Sequence, residues 1–190
     1  IGSGGREHSI ARAITATSTY QKMYCAPGNP GTAQYCENVA ISDSDISALL
    51  SFAKEKAIDL TIVGPEAPLA LGIVDQFENE GLAIVGPCQA AAQMESSKAW
   101  AKAFMKEFKI PTASYEVFET YESAVDYVTN TTFPTVIKAD GLAAGKGVTV
   151  CFNLEEAIQT LKDMMQDKIF ADAGSRVVIE SFLKGEEASI

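Results

Sequence analysis

Histidine is almost missing from this chain, with one, His8, in 190 residues. A mechanism that moves a proton through imidazole would rest on that residue alone, and no G-x-S-x-G elbow accompanies it. Ser-His-Asp and Cys-His hydrolases are therefore disfavoured. At a helix start, His8 suits capping or packing better than catalysis. The four cysteines (Cys25, Cys36, Cys88 and Cys151) show no C-x-x-C spacing, which argues against a zinc site and against a disulfide framework. Basic charge is also short: 15 Lys and Arg stand against 25 Asp and Glu, a formal net charge of −10. Nucleic-acid binding needs a clustered basic excess, so nucleic acid is not an expected partner. No apolar run approaches the ~20 residues of a membrane span, and no leader pattern is visible. A reducing, cytoplasmic setting without a membrane partner is the expectation. Internal repeats and low-complexity tracts are missing as well.

What is present is an ordinary apolar fraction of 47% and a length sufficient for one large or two small cores. The most informative stretch is TVIKADGLAAGKGVTV at 135–150. Two β-branched runs, 135–139 and 148–152, flank a loop of mostly small residues bracketed by Lys138 and Lys146. Backbone N–H groups in such a loop are free to face a ligand, and the ammonium groups add charge, which is the composition of a phosphate cradle. It is not a P-loop. A P-loop joins strand to helix as G-x-x-x-x-G-K-[ST], whereas Gly141 to Gly145 is one residue short and Gly147 stands where Ser or Thr should hold magnesium. A plain hairpin tip would need only two or three turn residues.

Up to residue 110 the signals alternate between strand and helix. Helices are expected at 6–17, at 43–56 with Asp43 or Ser44 as cap, at 69–80, and as one long helix at 89–108. Strands are expected at 22–26, 39–41, 60–63 and 83–85. Repeated β-loop-α units imply a parallel sheet with helices on both faces, and ligands at the carboxyl ends of its strands. After Ile110-Pro111 the order becomes strand 115–118, helix 121–129, strand 135–139, glycine loop, strand 148–152, helix 154–165 and strand 176–180. Successive strands there flank the glycine loop directly, so this part is α+β with antiparallel pairing. The expected fold class is α/β: a Rossmann-like parallel sheet, then an α+β lid. Ile1-Gly2 reads as a strand ending in a glycine turn, and residues 188–190 fall within another strand, so a piece of a longer polypeptide is expected.

GSGGRE at 2–7 begins like a dinucleotide fingerprint, but the third glycine position is Glu7. A large acid there opposes close helix–strand packing and would repel a pyrophosphate, so nicotinamide and flavin chemistry is disfavoured. The amides opening the next helix can still bind a single phosphate, with Arg6 adding a charged donor. GPEAP at 64–68 ends an apolar strand and presents Glu66 at the ligand edge. Lys98, Lys102 and Lys106 repeat at i, i+4 spacing, which by itself reads as a solvated face. The run 177–183 is a core-type strand leaving into a charged turn.

In combination these pieces resemble the ATP-grasp superfamily, whose members activate a carboxylate as an acyl phosphate and pass it to an amine. The resemblance rests on the α/β part, the strand–glycine loop–strand with Lys138, and I-E-x-F-L-x-G-x-E at 179–187. GSGGREH at 2–8, APGNPGT at 26–32, VGPEAPL at 63–69, Ser97-Lys98 and KADGLAAGKGV at 138–148 are similar, in that order, to the phosphoribosylamine–glycine ligase family. The similarity covers essentially the whole chain.

The resemblance implies ligation of glycine to 5-phosphoribosylamine by ATP with Mg2+ (or Mn2+), as a step of purine biosynthesis. It implies an N domain at 1–110, an ATP-grasp lid at 111–183 and the start of the ATP-grasp core at 184–190. Lys98 and Lys138 would contact ATP phosphates, and Gly141, Leu142, Ala143, Ala144, Gly145, Lys146 and Gly147 would close over them. Main-chain atoms across Glu180, Ser181, Phe182 and Leu183 would read adenine, and Glu187 would take the ribose hydroxyls. Phosphoribosylamine would lie against Gly4, Gly5, Arg6 and Glu7, against Gly28, Asn29, Gly31 and Thr32, and against Gly64, Pro65 and Glu66. Ser181 stands where that family has an acidic residue, which leaves main-chain contacts in place. The family's metal-binding carboxylates would lie beyond Ile190, on carboxy-terminal domains of the same polypeptide, so no metal ligand is expected here and this stretch alone would not turn over. The alternatives are another ATP-grasp carboxylate–amine ligase and a non-catalytic nucleotide-binding module.

Overall fold

The helix Ile46–Glu55 (α2) shows how local chemistry sets the elements of the first half. Asp45 accepts a hydrogen bond from the Ala48 N–H at 3.0 Å and starts the helix, displacing the expected cap at Asp43 or Ser44. Ile46, Leu49 and Ala53 then recur on one face and are buried against Ile73, Val74 and Phe77. The computed structural model describes residues 1–17, 20–143, 145–186 and 188. These fall into two compact units, 1–92 and 93–190. Residues 93–110 cluster with the second unit, so the units divide earlier than the expected boundary after 110.

The first unit holds α1 (Gly5–Thr15), β1 (Tyr24–Cys25), β2 (Glu37–Asn38), α2, β3 (Thr61–Ile62), α3 (Glu66–Ala70), α4 (Ile73–Asn79), β4 (Ile84–Val85) and the start of α5 (Gln89–Ser96). Its strands form two small parallel pairs, β1 with β2 and β3 with β4. The segment Ile1-Gly2 hydrogen-bonds toward both pairs. Ile1 N donates to Ile62 O at 2.7 Å, and Gly64 N donates to Ile1 O at 3.1 Å. Gly2 N donates to Ala26 O at 2.7 Å, and Gly28 N donates to Gly2 O at 3.0 Å. Two expectations are corrected here. The strand expected at 39–41 lies at Glu37–Asn38, and the helix expected at 69–80 is broken into α3 and α4 at Gly72, whose φ is +79°. A left-handed residue ends one helix and resets the axis of the next.

The second unit continues with α6 (Lys98–Glu107), β5 (Tyr115–Phe118), α7 (Tyr121–Thr129), β6 (Thr135–Ala139), β7 (Val148–Cys151), α8 (Leu154–Leu161) and β8 (Val177–Ser181). A π-helical segment, Lys162–Gln166, follows α8 where a longer α-helix was expected. The long helix expected at 89–108 is likewise two. Ser97 adopts an extended conformation and its hydroxyl accepts from Trp100 N, so capping interrupts the apolar periodicity. The strands form one antiparallel sheet in the order β5-β8-β6-β7.

Alternation along this sheet divides its side chains between two faces. Ile137, Ala139, Cys151, Val177 and Ile179 are buried with Ala124 and Val128 of α7 and Ala157 and Leu161 of α8. Their alternates, Val136, Lys138, Val148, Val178 and Glu180, share the opposite face, with Lys138 across from Val148 and Val178 and Val136 across from Glu180. None of the helices among the described residues is long and apolar enough to cross a membrane.

Candidate functional site

Each unit carries one hollow lined by residues singled out above. In the first unit, a cavity of about 300 Å³ is formed by residues 3–7 together with Asp43, Pro65 and Glu66. Gly4 is the N-cap of α1 and has no side chain to satisfy the helix. Among the described residues, no acceptor meets the amides of Gly5, Arg6 and Glu7. Three unmet donors at the positive end of an 11-residue helix make an anion-binding corner. Arg6 Nη1 donates to the Gly64 carbonyl, which brings the 64–66 loop to the same corner. Pro65 caps α3 and Glu66 begins it, exposed.

Glu7 behaves as a brace of this corner. It is 7% exposed, and its carboxylate accepts from the Gly4 N–H, closing half of a capping box. Space for it comes from glycines outside its own turn. A Cβ on Gly64 would stand 1.8 Å from Glu7 Oε1, and one on Gly2 would stand 2.7 Å from its carboxyl carbon. The close approach that a dinucleotide fingerprint assigns to its third glycine is supplied here by Gly64, from another strand end.

The second loop is held just as tightly. Asn29 Nδ2 donates to the carbonyls of Ser3 and Gly4 at 2.9 and 3.1 Å, and its Oδ1 accepts from the amides of Gly31 and Thr32 at 2.7 and 3.0 Å. Thr32, fully buried, accepts from Asn29 N at 2.7 Å and lies 2.7 Å from Asn38 Oδ1. Gly28 has φ +73° and faces Asn38 so closely that a Cβ would stand 2.2 Å from its side chain. Asn29 and Thr32 therefore join loop to loop. His8 stacks on Tyr35 at 5.6 Å, in the packing role expected of it.

In the second unit, a cavity of about 500 Å³ is lined by Lys98, Lys102, Lys138, Val148, Glu180 and Leu183, among others. Glu180 is 6% exposed and lies between two cations, with Lys102 Nζ 3.0 Å from Oε2 and Lys138 Nζ 2.9 Å from Oε1. The Lys138 contact is an ion pair without hydrogen-bond geometry, so Oε1 has no donor aimed at it. Lys102 also donates to Thr112 Oγ1 at 2.6 Å and sits 5.7 Å above the Tyr115 ring. The reading of Lys98, Lys102 and Lys106 as a solvated stripe is corrected by this geometry. Lys102 is 7% exposed and Lys98 is half-buried, and only Lys106 is on the surface. Lys98 Nζ donates to Gly141 O at 3.2 Å, and burial lowers its pKa below the usual lysine value, opposed by the nearby Asp140 carboxylate.

The glycine loop leaves β6 and returns as β7. Gly141 packs on Ala173, and a Cβ would stand 2.8 Å from that residue's methyl. Gly147 fits against Ala143 and Ala139, and its carbonyl accepts from Ala139 N at 2.8 Å. Gly145 has φ +75°, and the Lys146 N–H returns to Ala143 O. Lys146 and Leu142 are exposed. Among the described residues no acceptor meets the amides of Leu142, Ala143 and Gly145. Ala144 and Glu187 lie outside the described residues.

On β8, the Glu180 carbonyl accepts from Thr135 Oγ1 at 2.9 Å, and its strand is flanked by β5 and β6. The Leu183 main chain, by contrast, meets no hydrogen-bond partner among the described residues. Ser181 and Phe182 are exposed beside it.

Sequence reasoning missed Asp140 and Arg176. Asp140 is buried and accepts from Ala99 N at 2.6 Å and from Arg176 Nε at 2.8 Å. A carboxylate directly before a glycine loop was the available signal, but its partners lie 41 and 36 residues away. Among the described residues, no group of three or more His, Cys, Asp or Glu side chains is placed to hold a metal ion.

Comparison with known proteins adds the following. Residues 1–95 match the family model for the phosphoribosylglycinamide synthetase N domain, and residues 96–190 match that for the phosphoribosylglycinamide synthetase ATP-grasp (A) domain. The phosphoribosylamine–glycine ligase of Vibrio parahaemolyticus is 56% identical across the whole of this chain, which spans 44% of that relative. A crystal structure of phosphoribosylamine–glycine ligase from Thermotoga maritima is similar with a TM-score of 0.75 at 33% identity, over 97% of this chain and 43% of that one. The biotin carboxylase domain of Hydrogenobacter thermophilus 2-oxoglutarate carboxylase reaches a TM-score of 0.78 at 16% identity, a likeness of fold alone, over 96% of this chain and 43% of that one. The chain thus spans less than half the length of the relatives it matches.

Proposed function

Since the chain belongs to the phosphoribosylglycinamide synthetase family, we propose that it forms the amino-terminal part of an ATP-dependent ligase joining glycine to 5-phosphoribosylamine. The observation that carries this reading is the cavity where Lys98, Lys138 and the Glu180–Lys102 pair meet beside a glycine loop with unmet amides. A polyphosphate needs preorganised donors and positive charge in a partly water-excluded place. Lys98 and Lys138 would hold ATP phosphates, and the amides of the 141–147 loop would close over them. The Leu183 main chain, free of partners among the described residues, would read the adenine edge together with the main chain of Glu180. The ribose contact assigned to Glu187 rests on the family resemblance.

The α1 corner suits the phosphate of phosphoribosylamine. Gly5, Arg6 and Glu7 amides would supply donors, Arg6 would add charge, and Glu66, which lines the same cavity, would meet an amine or hydroxyl. Gly5 leaves open space for a ligand to approach the backbone, Gly4, Gly28, Gly31 and Gly64 let the loops close on Glu7, Asn29, His8 and Asn38, and Glu7, Asn29 and Thr32 hold the corner's shape. In the finer fold reading, residues 1–2, 24–25, 37–38, 61–62 and 84–85 make one Rossmann-like parallel sheet with that corner at its carboxyl edge. The functional parts proposed are an N domain to about residue 110, a lid to 183 and the beginning of the core after it.

The chemistry follows from glycine's carboxylate, a poor electrophile. Its oxygen attacks the γ-phosphorus, the bond to the ADP oxygen breaks, and glycyl phosphate forms. The amine nitrogen of phosphoribosylamine then attacks the acyl carbon, phosphate leaves with the C–O electron pair, and the nitrogen loses a proton. Lysines offset the charge spread over the transferring phosphoryl, and a closed loop keeps water from the acyl phosphate. Magnesium or manganese bound to the phosphates would supply further charge neutralisation. The described residues do not fit such an ion: no three of their His, Cys, Asp or Glu side chains come together to hold one, and Glu180 is already flanked by two ammonium groups.

The test is to give the full-length protein ATP, magnesium, glycine and freshly prepared phosphoribosylamine and to follow ADP release. Release should require glycine and phosphoribosylamine together. Release without either one refutes the assignment. The lowered Lys98 pKa adds a pH signature. Phosphate prefers the protonated lysine, so ATP affinity should hold at neutral pH and fall as pH rises through a value below the ordinary lysine range.

A further inference from the structure

We propose that Asp140 is a positioning residue of the nucleotide site, holding the Lys98 ammonium and the root of the glycine loop in one frame. The inference rests on the nucleotide reading above and adds to it a residue that never touches the nucleotide. Asp140 is 6% exposed and joins three segments distant in sequence. Its Oδ1 accepts from Ala99 N at 2.6 Å and lies 3.2 Å from Ser97 Oγ, at the first turn of α6. Its carbonyl accepts from Lys98 N at 3.2 Å. Its Oδ2 takes Arg176 Nε at 2.8 Å together with Nη2, and its amide donates to Arg176 O at 3.0 Å. The next residue, Gly141, receives Lys98 Nζ on its carbonyl at 3.2 Å.

A carboxylate at a helix N-terminus also meets the positive end of the helix dipole, which stabilises the contact. The clamp therefore fixes backbone on both sides of the lysine whose side chain reaches the loop. Its charge acts on that lysine as well. The groups facing Lys98 are Asp140, Glu95 and Glu180, which favour its protonated form, and Lys138, which opposes it along with burial. Asp140 is the largest of the favouring contributions.

Asp140→Asn keeps the size and the acceptor for Ala99 while removing the charge. The variant and the parent full-length protein are compared by equilibrium binding of the non-hydrolysable analogue AMP-PNP with magnesium, from neutral to alkaline pH. Affinity at neutral pH should fall about tenfold or more, as expected when a binding group is misplaced by a fraction of an ångström. The alkaline fall in affinity should also move to lower pH, because the lysine has lost its main favouring charge. A general loss of packing would not move that limb. The side-chain amide introduced by Asp140→Asn would be set against the Arg176 guanidinium, and combining the change with Arg176→Met removes that clash. This pair should regain melting temperature while keeping both the weakened affinity and the shifted limb. Parent-like affinity and an unmoved limb in either folded variant overturn the proposal and leave the ligase reading standing. Failure of the parent itself to bind AMP-PNP defeats both.

Discussion

The two hollows present charge by opposite means. In the first unit, the corner is built from backbone: three open amides, glycines at 2, 4, 5, 28, 31 and 64, and polar side chains turned inward to hold loops together. In the second, side-chain charge dominates, with two lysines bracketing one buried carboxylate and a third donating to the loop root. The difference teaches that a site residue is recognised by where its hydrogen bonds go, and its chemical type alone is a poor guide. Asn29, Thr32 and Glu7 have binding chemistry and act as struts. Lys102 has surface chemistry and is buried.

Removing the carboxylate of the second unit should do the most damage. Glu180→Gln leaves Lys102 and Lys138 facing each other with no anion between them, and breaking a buried pair of this kind costs about 3–5 kcal/mol. Denaturant unfolding of the second unit measures it, and a loss below about 1 kcal/mol would put Lys102 in a solvated setting instead. In the first unit the largest effect should come from Gly64→Ala, which drives a methyl into Glu7 and should cost about 1–3 kcal/mol. Here a double-mutant cycle decides. Glu7→Ala alone should cost about 1–3 kcal/mol by leaving the Gly4 amide unmet, and it should make Gly64→Ala nearly harmless. Additive losses would mean the two residues do not share that space.

Asn29→Ala sharpens the comparison further. A strut predicts a stability loss of about 1–3 kcal/mol, because the amides of Gly31 and Thr32 lose their acceptor. A ligand contact without a strut's role predicts lower phosphoribosylamine affinity at unchanged stability. The smallest effect belongs to an exposed pair, Lys54 with Glu80, whose side chains are each about half exposed. Lys54→Ala should change stability by less than about 1 kcal/mol, and the change should vanish in high salt.

Legibility of the fold followed the same division. The boundaries Tyr115–Phe118, Tyr121–Thr129 and Thr135–Ala139 were readable residue by residue, because β-branched runs and the turn residues between them pointed one way. In the first half, apolar periodicity ran through two breaks that local chemistry imposes. Gly72 adopts a left-handed conformation, and Ser97 takes the Trp100 amide. Strands of two residues are held by neighbours contributed from far along the chain, so their limits carry little local signal. At the sites, glycine-rich loops were visible as composition. The partners of Asp140 and Glu180, and the approach of Gly64 to Glu7, were not, since each arises only after folding brings residues dozens of positions apart together.

The strand order β5-β8-β6-β7 has a consequence in time. The last of the described strands in sequence is central in this sheet, so Tyr115 on β5 waits for Glu180, and β6 and β7 form only a two-stranded hairpin until then. Such a hairpin is marginal by itself, and closing the longer loop is the slow, entropically opposed event. Glu180 rides on that strand. Lys102 and Lys138 therefore remain hydrated until β8 docks, and their neutralisation coincides with its pairing. Formation of the β5-β8-β6-β7 sheet should behave as a single step governed by residues 177–181, with the Lys102–Glu180–Lys138 cluster absent before it and formed after it.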